Sequence, residues 1–354
     1  MPEKFLMKGN EALAEAAIRA GCRYFFGYPI TPQNEIPEYM AKHLPEVGGV
    51  YVQAESEVAA INMVYGAAGA GARVMTSSSS PGISLKQEGI SYLAGAELPC
   101  VIVNMVRGGP GLGGIQPAQS DYFQVTRGGG HGDYRLIVLG PDSVQEIVDI
   151  TFLSFELADK YRIPVLILGD GLLGQMMEPV EFPDISVEKP AKPWATTGMK
   201  DRPQNIIKSL HLDPLELERH NLKLQKKYSE ISDNEQRMEL FMCEDADLFI
   251  VAYGTTARIA KSVVVRAREE GIAAGLIRPI SLWPFPNKAF EKIIDRAKVF
   301  LTLEMSCGQM IEDVKLTVNG RVPVVFYGRT GGIVPKFRDV LEKLRQLDRS
   351  DWHG

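Results

Sequence analysis

Glu57 opens the alanine-rich segment Glu57 to Ala70 (EVAAINMVYGAAGA), which has the composition of a helix, and a carboxylate there can accept a hydrogen bond or serve as an acid–base group. The helix dipole also favours a glutamate at such a position with no functional role, so the residue alone leaves both readings open. Arg107 follows directly on the apolar run Pro99 to Val106 (PCVIVNMV). A guanidinium there can clamp a carboxylate bidentately and stabilise charge near a reacting carbon, or it can be an ordinary surface cation. Thr31 stands in a tight Pro-Ile-Thr-Pro corner, where Thr31 or Asn34 could begin the next helix and capping is the common use of threonine. The hydroxyls of the polar turn at Ser77 to Ser80 can meet a substrate or cap the following helix. The glycine run Gly108 to Gly114 lacks GxGxxG phasing and the Walker lysine and serine pair. It reads as an active-site loop whose glycines, Gly109 among them, permit close approach. His131 lies between glycines and ahead of Asp133, with no histidine or cysteine at ligand spacing. It stands as an active-site or interface residue, or as part of a turn.

These residues fall at the ends and turns of alternating elements. Strands are expected at Tyr24 to Tyr28, Gly49 to Gln53, Ala72 to Thr76, Pro99 to Val106, Arg135 to Leu139 and Val165 to Leu168. Helices are expected at Asn10 to Ala20, Glu57 to Ala70, Ile83 to Ala94 and near Ser143 to Lys160. Strands alternating with helices of about 10–15 residues indicate a parallel sheet covered on both faces, and such sheets bind ligands beyond the carboxyl ends of their strands. After Pro179 the chain becomes proline-rich and then, from Leu215 to Phe241, strongly charged with a helical rhythm. We read a linker and one long surface or bridging helix, its charges forming a solvated face. A second α/β unit begins at Asp247, with strands at Leu248 to Tyr253, Gly275 to Arg278, Val299 to Glu304 and Val322 to Tyr327. Its helices are expected from Gly254 to about Glu270, Asn287 to Ala297, Gly308 to Val318 and about Val334 to Leu347. The expected division is 1–180, a linker with the charged helix at 181–245, and 246–354.

Composition narrows the function classes. The chain has 354 residues, 45% hydrophobic and 23% charged, enough for two packed cores. Its formal net charge of -5 argues against a nucleic-acid binder, which needs a basic patch. Cys22, Cys100, Cys243 and Cys307 are scattered without CxxC spacing, so neither an iron–sulfur cluster nor structural zinc is expected on this chain. No stretch reaches the roughly 20 apolar residues of a membrane span, and the start carries no apolar run of signal-peptide length. A soluble cytoplasmic protein is the expectation.

Several separated motifs carry a resemblance: Lys8-Gly9-Asn10-Glu11-Ala12, Phe26-Gly27-Tyr28-Pro29-Ile30-Thr31-Pro32, Glu55-Ser56-Glu57, Thr76-Ser77-Ser78-Ser79-Ser80-Pro81-Gly82 and Gly130-His131-Gly132-Asp133. Together they resemble the alpha-type chain of the 2-oxoacid:ferredoxin oxidoreductases, nearest to the branched-chain (3-methyl-2-oxobutanoate) type. Tyr253-Gly254-Thr255-Thr256-Ala257 and Leu276-Ile277-Arg278-Pro279 extend the likeness over nearly the whole chain. The resemblance implies a thiamine-diphosphate-binding-type parallel sheet domain followed by a transketolase C-terminal-like α/β domain. It implies a site shared between chains, with this one supplying the pyrimidine side. A partner chain would supply the diphosphate and Mg2+ site, and partner chains the [4Fe-4S] clusters. A gamma-type subunit and a ferredoxin-like delta subunit would complete a complex that uses coenzyme A and reduces ferredoxin.

Carried over by resemblance, Glu57 becomes the carboxylate that hydrogen-bonds the pyrimidine nitrogen and makes the cofactor's exocyclic nitrogen a base. In thiamine enzymes that glutamate starts a helix with a glycine nine positions on, as Gly66 is here. Pro29 and Ser80 join it at the cofactor, and Thr31, Ser79 and Arg107 at the substrate. Gly169-Asp170-Gly171 imitates the start of the thiamine metal motif, but the first asparagine downstream, Asn205, comes too late. We therefore place no metal on this chain and read Asp170 as a strand end. Tyr253 to Thr256 could hold an anion such as a coenzyme A phosphate at a helix N-terminus, although a structural, interfacial role weighs heavier. An independent enzyme of this cofactor class, a 2-oxoglutarate or pyruvate oxidoreductase subunit, and a non-catalytic interaction subunit stand as alternatives.

Overall fold

The computed structural model describes residues 3–184 and 190–350, so 185–189 of the expected linker and 351–354 of the second unit lie outside the described residues. The strands are β1 (Phe5–Lys8), β2 (Tyr24–Gly27), β3 (Val50–Gln53), β4 (Val74–Ser78), β5 (Cys100–Val106), β6 (Ile137–Leu139), β7 (Pro164–Asp170), β8 (Met177–Val180), β9 (Met238–Phe241), β10 (Leu248–Val251), β11 (Ala274–Pro279), β12 (Ser281–Trp283), β13 (Val299–Glu304) and β14 (Val324–Gly328). The larger sheet has the order β12-β6-β7-β5-β4-β2-β3. Its strands run parallel except β12, which adds antiparallel to β6. β5 and β7 are buried along their whole length, as apolar runs at the centre of a parallel sheet must be.

Register aligns the carboxyl ends. Ser77 and Ser78 of β4 sit opposite Val103 and Asn104 of β5, and Val106 sits opposite Asp170 of β7. β4 therefore extends two residues past its expected end, taking Ser77 and Ser78 out of the turn. The next helix, Ser80–Gly95, starts earlier than expected because Pro81 is tolerated in a first turn, where no N–H partner is lost. The helix Glu57–Gly69 begins at Glu57, with Ser56 Oγ accepting from the Ala59 N–H at 3.2 Å. The two helices pack so closely that a Cβ on Gly89 would lie 2.5 Å from Ile61 Cγ2.

The second sheet has the order β14-β13-β10-β11-β9, parallel except for the edge strand β9. β9 corrects the sequence reading: the charged helix runs Pro214–Asn234 and ends before it. Leu224, Tyr228 and Ile231 of that helix are buried, while Lys227 and Lys223 pair with Glu97, Lys227 at 3.0 Å. One stripe is thus core, and part of the charge is spent on the first unit. The helix expected to reach Ala297 stops at Glu291. β12 is also new. Only three residues long, it is too short for any periodicity to reveal, and it carries the second unit's chain into the first sheet.

The seam between the units is polar and closed. Gln119 Nε2 donates to Tyr253 O at 2.8 Å, while its Oε1 accepts from Met305 N at 2.9 Å and from Thr256 Oγ1 at 3.2 Å. Arg278 donates to both oxygens of Glu146, at 2.7 and 2.8 Å, and to Glu239 at 2.6 Å. Tyr122 Oη donates to Asp313 at 2.6 Å.

Candidate active site

Two clusters meet at the start of the Ser80 helix. The first is built around Arg107, which directly follows β5. Ser80 Oγ accepts from Arg107 N at 3.1 Å and donates to Arg107 O at 3.2 Å, locking the strand end to the helix. Arg107 is buried, with Nη1 donating to Thr31 O at 3.0 Å and Nη2 to Leu112 O at 3.2 Å. One side chain thus ties the Pro-Ile-Thr-Pro corner to the glycine loop. Arg107 Nε is buried without a partner among the described residues, so donor capacity remains for a carboxylate. The Thr31–Pro32 and Gly109–Pro110 peptides are cis. Thr31 is exposed, and its Oγ1 accepts from Asn34 Nδ2 at 3.4 Å. Asn34 rather than Thr31 precedes the next helix, Glu35–His43.

The second cluster is built around Glu57. Its side chain is buried, and its carboxylate has no hydrogen-bond partner among the described residues. Gly82 makes the fit possible: a Cβ there would lie 2.7 Å from Glu57 Oε1 and 2.1 Å from Ser78 Oγ. Ser78 Oγ and Ser79 Oγ are buried without partners among the described residues, and so is Gln33 Nε2. Ser77 Oγ donates to Gln33 Oε1 at 2.5 Å, joining β4 to the residue that follows the Thr31–Pro32 corner. Lys86, one turn beyond Gly82, is fully buried and donates to Thr76 Oγ1 at 2.6 Å and Ser77 O at 3.0 Å. Burial pushes its amine down to about 7, and the Glu57 charge acts against that shift.

Asn104 and Asp121 complete the floor. Asn104 Oδ1 accepts from Ser80 N at 3.1 Å, and its Nδ2 donates to Asp121 at 2.9 Å. Burial holds the Asp121 carboxyl above the usual range, against hydrogen bonds from Ser80 and Asn104. Sequence reasoning missed Gln33, Lys86, Asn104 and Asp121. Two of them had a signal: Asn104 is the one polar residue within an apolar strand, and Lys86 falls on the face marked by Ile83 and Ile90.

The remaining candidates separate. Pro29 is exposed just beyond the carboxyl end of β2, on the same edge of the sheet. His131 contacts Ser91 at 3.4 Å and the edge of the Tyr92 ring, about 16 Å along the helix from Ser80. Gly109 lies open, with no atom within 4 Å of a Cβ position. Asp170 ends β7 and accepts from Leu172 N and Leu173 N at 2.9 and 3.2 Å. Thr256 is spent on Gln119 and Tyr253 O, so the Tyr253 turn belongs to the seam. Cys22, Cys100 and Cys243 are buried and Cys307 is exposed. Among the described residues no three His, Cys, Asp or Glu side chains are grouped to hold a metal, and no helix is long and apolar enough to cross a membrane.

The Glu57 cluster fits the pyrimidine end of thiamine diphosphate. That ring needs a carboxylate acceptor not already engaged, and Glu57 is buried, fixed at a helix start and unpartnered. Gly66, two and a half turns on, is exposed with no atom within 4 Å of a Cβ position, so the outer face of this helix is open to another chain.

Comparisons with known proteins agree along the whole chain. Residues 15–239 match the family model described as pyruvate flavodoxin/ferredoxin oxidoreductase, thiamine diP-binding, and residues 246–340 match pyruvate:ferredoxin oxidoreductase core domain II. A ketoisovalerate oxidoreductase subunit VorB from Methanothermobacter marburgensis is 53% identical over 97% of this chain and 97% of its own length. The solved 2-oxoglutarate:ferredoxin oxidoreductase from Magnetococcus marinus superposes with a TM-score of 0.88 at 28% identity, covering 98% of this chain and 66% of that one. A split gene transketolase shares the fold, with a TM-score of 0.61 at 15% identity over 96% of this chain and 98% of its own. The expected fold class is therefore the observed one: a thiamine-diphosphate-binding-type domain followed by a transketolase C-terminal-like α/β domain.

Proposed function

This chain belongs to the 2-oxoacid:ferredoxin oxidoreductase family, as an oxidoreductase subunit of a multi-subunit enzyme, and on that premise we propose that it forms the pyrimidine side of a thiamine diphosphate site for branched-chain 2-oxoacids. The observation that carries the reading is Glu57, a buried side chain at a helix start whose carboxylate has no hydrogen-bond partner among the described residues. When bound, thiamine diphosphate supplies the carbon nucleophile and electron sink for decarboxylating a 2-oxoacid. Glu57 accepts a hydrogen bond from the pyrimidine ring and holds the proton there. Arg107 offers its remaining donors to the substrate carboxylate, with Thr31, Ser79 and the Gly109 loop around it. Ser80, whose hydroxyl bonds the Arg107 backbone, stands at the cofactor beside Glu57 and ties that arginine to it. Pro29 flanks the cofactor from the end of β2. Mg2+ and [4Fe-4S] clusters belong to partner chains, coenzyme A takes the acyl group and ferredoxin the electrons, in a cytoplasmic complex. His131, remote from Glu57, suits an interface. The residue ranges 1–180, 181–245 and 246–354 remain the proposed division of labour.

Substrate choice follows from likeness: 53% identity to a ketoisovalerate oxidoreductase subunit against 36–39% to 2-oxoglutarate synthase subunits and 28% to pyruvate synthase subunits. Arg107 is the one buried cation of its cluster, enough for one carboxylate, whereas 2-oxoglutarate has two. The test is kcat/KM of the assembled complex for 2-ketoisovalerate, pyruvate and 2-oxoglutarate with ferredoxin or a viologen. We expect 2-ketoisovalerate to lead. A dominant 2-oxoglutarate rate would overturn the assignment.

A further inference from the structure

We propose that Lys86 is a positioning residue for Glu57, a buried amine that supplies the counter-charge to that carboxylate while it is bonded to the cofactor's pyrimidine ring. The proposal rests on the reading of Glu57 given above. Lys86 is fully buried, yet its amine bonds only two groups, Thr76 Oγ1 and Ser77 O, both uncharged. An ammonium has three N–H donors, and no hydrogen bond for the third occurs among the described residues. A buried lysine without a carboxylate bonded to it is costly, and an apolar side chain would fill the same space more cheaply.

Geometry says what the amine faces. Lys86 lies four residues beyond Gly82 on one helix face, and the Cβ position of Gly82 is 2.7 Å from Glu57 Oε1. Around the amine, β4 presents Thr76 and Ser77 as its hydrogen-bond partners, and Glu57 of the neighbouring helix acts on it by charge rather than by a direct ion pair. Glu57 is the charge that acts on the amine, raising an affinity for protons that burial has pulled down to about 7. Ser77 bonds in turn to Gln33, so the same buried chain reaches the corner that carries Thr31. An amine pulled down this far by burial would lose its charge, and Glu57 its counter-charge, as pH rises.

The test measures the dissociation constant of thiamine diphosphate with Mg2+ on the complex of this chain with its partner chains, across the neutral pH range, by protein fluorescence or calorimetry. In the wild type, affinity should fall as pH rises and the amine loses its proton. Lys86→Met should weaken binding by about tenfold or more at the acidic end, the effect of losing an opposite charge at close range, and should abolish this pH dependence. Thr76→Val keeps the amine but removes one of its acceptors, and should move the midpoint to lower pH. That variant also decides the matter if Lys86→Met does not assemble. Lys86→Met with wild-type affinity and pH profile, or Thr76→Val with an unmoved midpoint, overturns the proposal. If the wild type binds and Glu57→Gln weakens binding while the Lys86 and Thr76 variants change nothing, the proposal alone falls. If the wild-type complex binds no thiamine diphosphate, the reading of Glu57 falls and takes the proposal with it.

Discussion

At the seam between the two units, Arg278 meets Glu146 through two bonds and Glu239 through a third, and Lys261 holds Asp142 at 2.7 Å. Gln119 spends its amide on Tyr253, Thr256 and Met305. At the carboxyl edge of the first sheet, Glu57 has no partner among the described residues, and Ser78 Oγ, Ser79 Oγ, Gln33 Nε2 and Arg107 Nε are buried and unpaired. Both regions pay the cost of burying polar groups. The seam pairs most of these groups inside the chain, Ser120 Oγ being one left without a partner among the described residues, whereas the sheet edge leaves several together open, each at about 1–3 kcal/mol. Buried polar groups without protein partners gathered at one sheet edge mark a candidate ligand site. The two regions should therefore fail differently when damaged.

The largest effect is expected from Glu57→Gln. In the assembled complex it should lower kcat by about 10²–10⁴-fold, the range for a lost acid–base group, while the unfolding midpoint stays near that of the wild type. A comparable energy should appear at the seam as stability instead. Arg278→Ala leaves Glu146 without its cation, while Lys261 still holds Asp142 and Glu239, and should cost about 3–5 kcal/mol, measured by denaturant unfolding. Gly82→Ala tests the contact between the helices: its methyl group meets Ser78 Oγ and Glu57. We expect an overpacking cost of about 1–3 kcal/mol and weaker thiamine diphosphate binding in the complex. If binding is unchanged, Glu57 is not held where the account puts it.

The smallest effect is a slope. Burial holds the Asp170 carboxyl above the ordinary range, outweighing bonds from Thr255, Leu173 and Leu172. An acid with a raised folded value binds more protons folded than unfolded, so stability falls as pH rises from the ordinary carboxylate range through the raised one. Asp170→Asn should flatten that slope in thermal unfolding against pH. It should leave the Mg2+ requirement of cofactor binding unchanged, because Asp170 caps a helix here. A lost Mg2+ dependence would revive it as a metal ligand.

The alternation of strands and helices was legible because buried parallel strands read as apolar runs, and β5 and β7 are the clearest of them. β12 and β9 were not, since three or four residues paired at a sheet edge carry no period of their own. Glu57 was legible through its place at a helix start and the glycine nine residues on. Gln33 and Asp121 were not, because what brings them to the site is the register of distant strands and the turn after Pro32. Lys86 sat in plain view on an apolar face, but a single lysine in a polar-looking stretch reads as solvent-exposed until burial is known.

The central claim is that the open carboxylate at the start of the Glu57 helix takes the pyrimidine ring of thiamine diphosphate. A structure of the assembled complex with the cofactor bound tests it most directly. A carboxylate oxygen of Glu57 should lie at hydrogen-bond distance, about 2.6–3.2 Å, from the ring nitrogen, with Gly82 packed behind it. A ring bound elsewhere, or Glu57 turned to a protein partner with the cofactor in place, would contradict it.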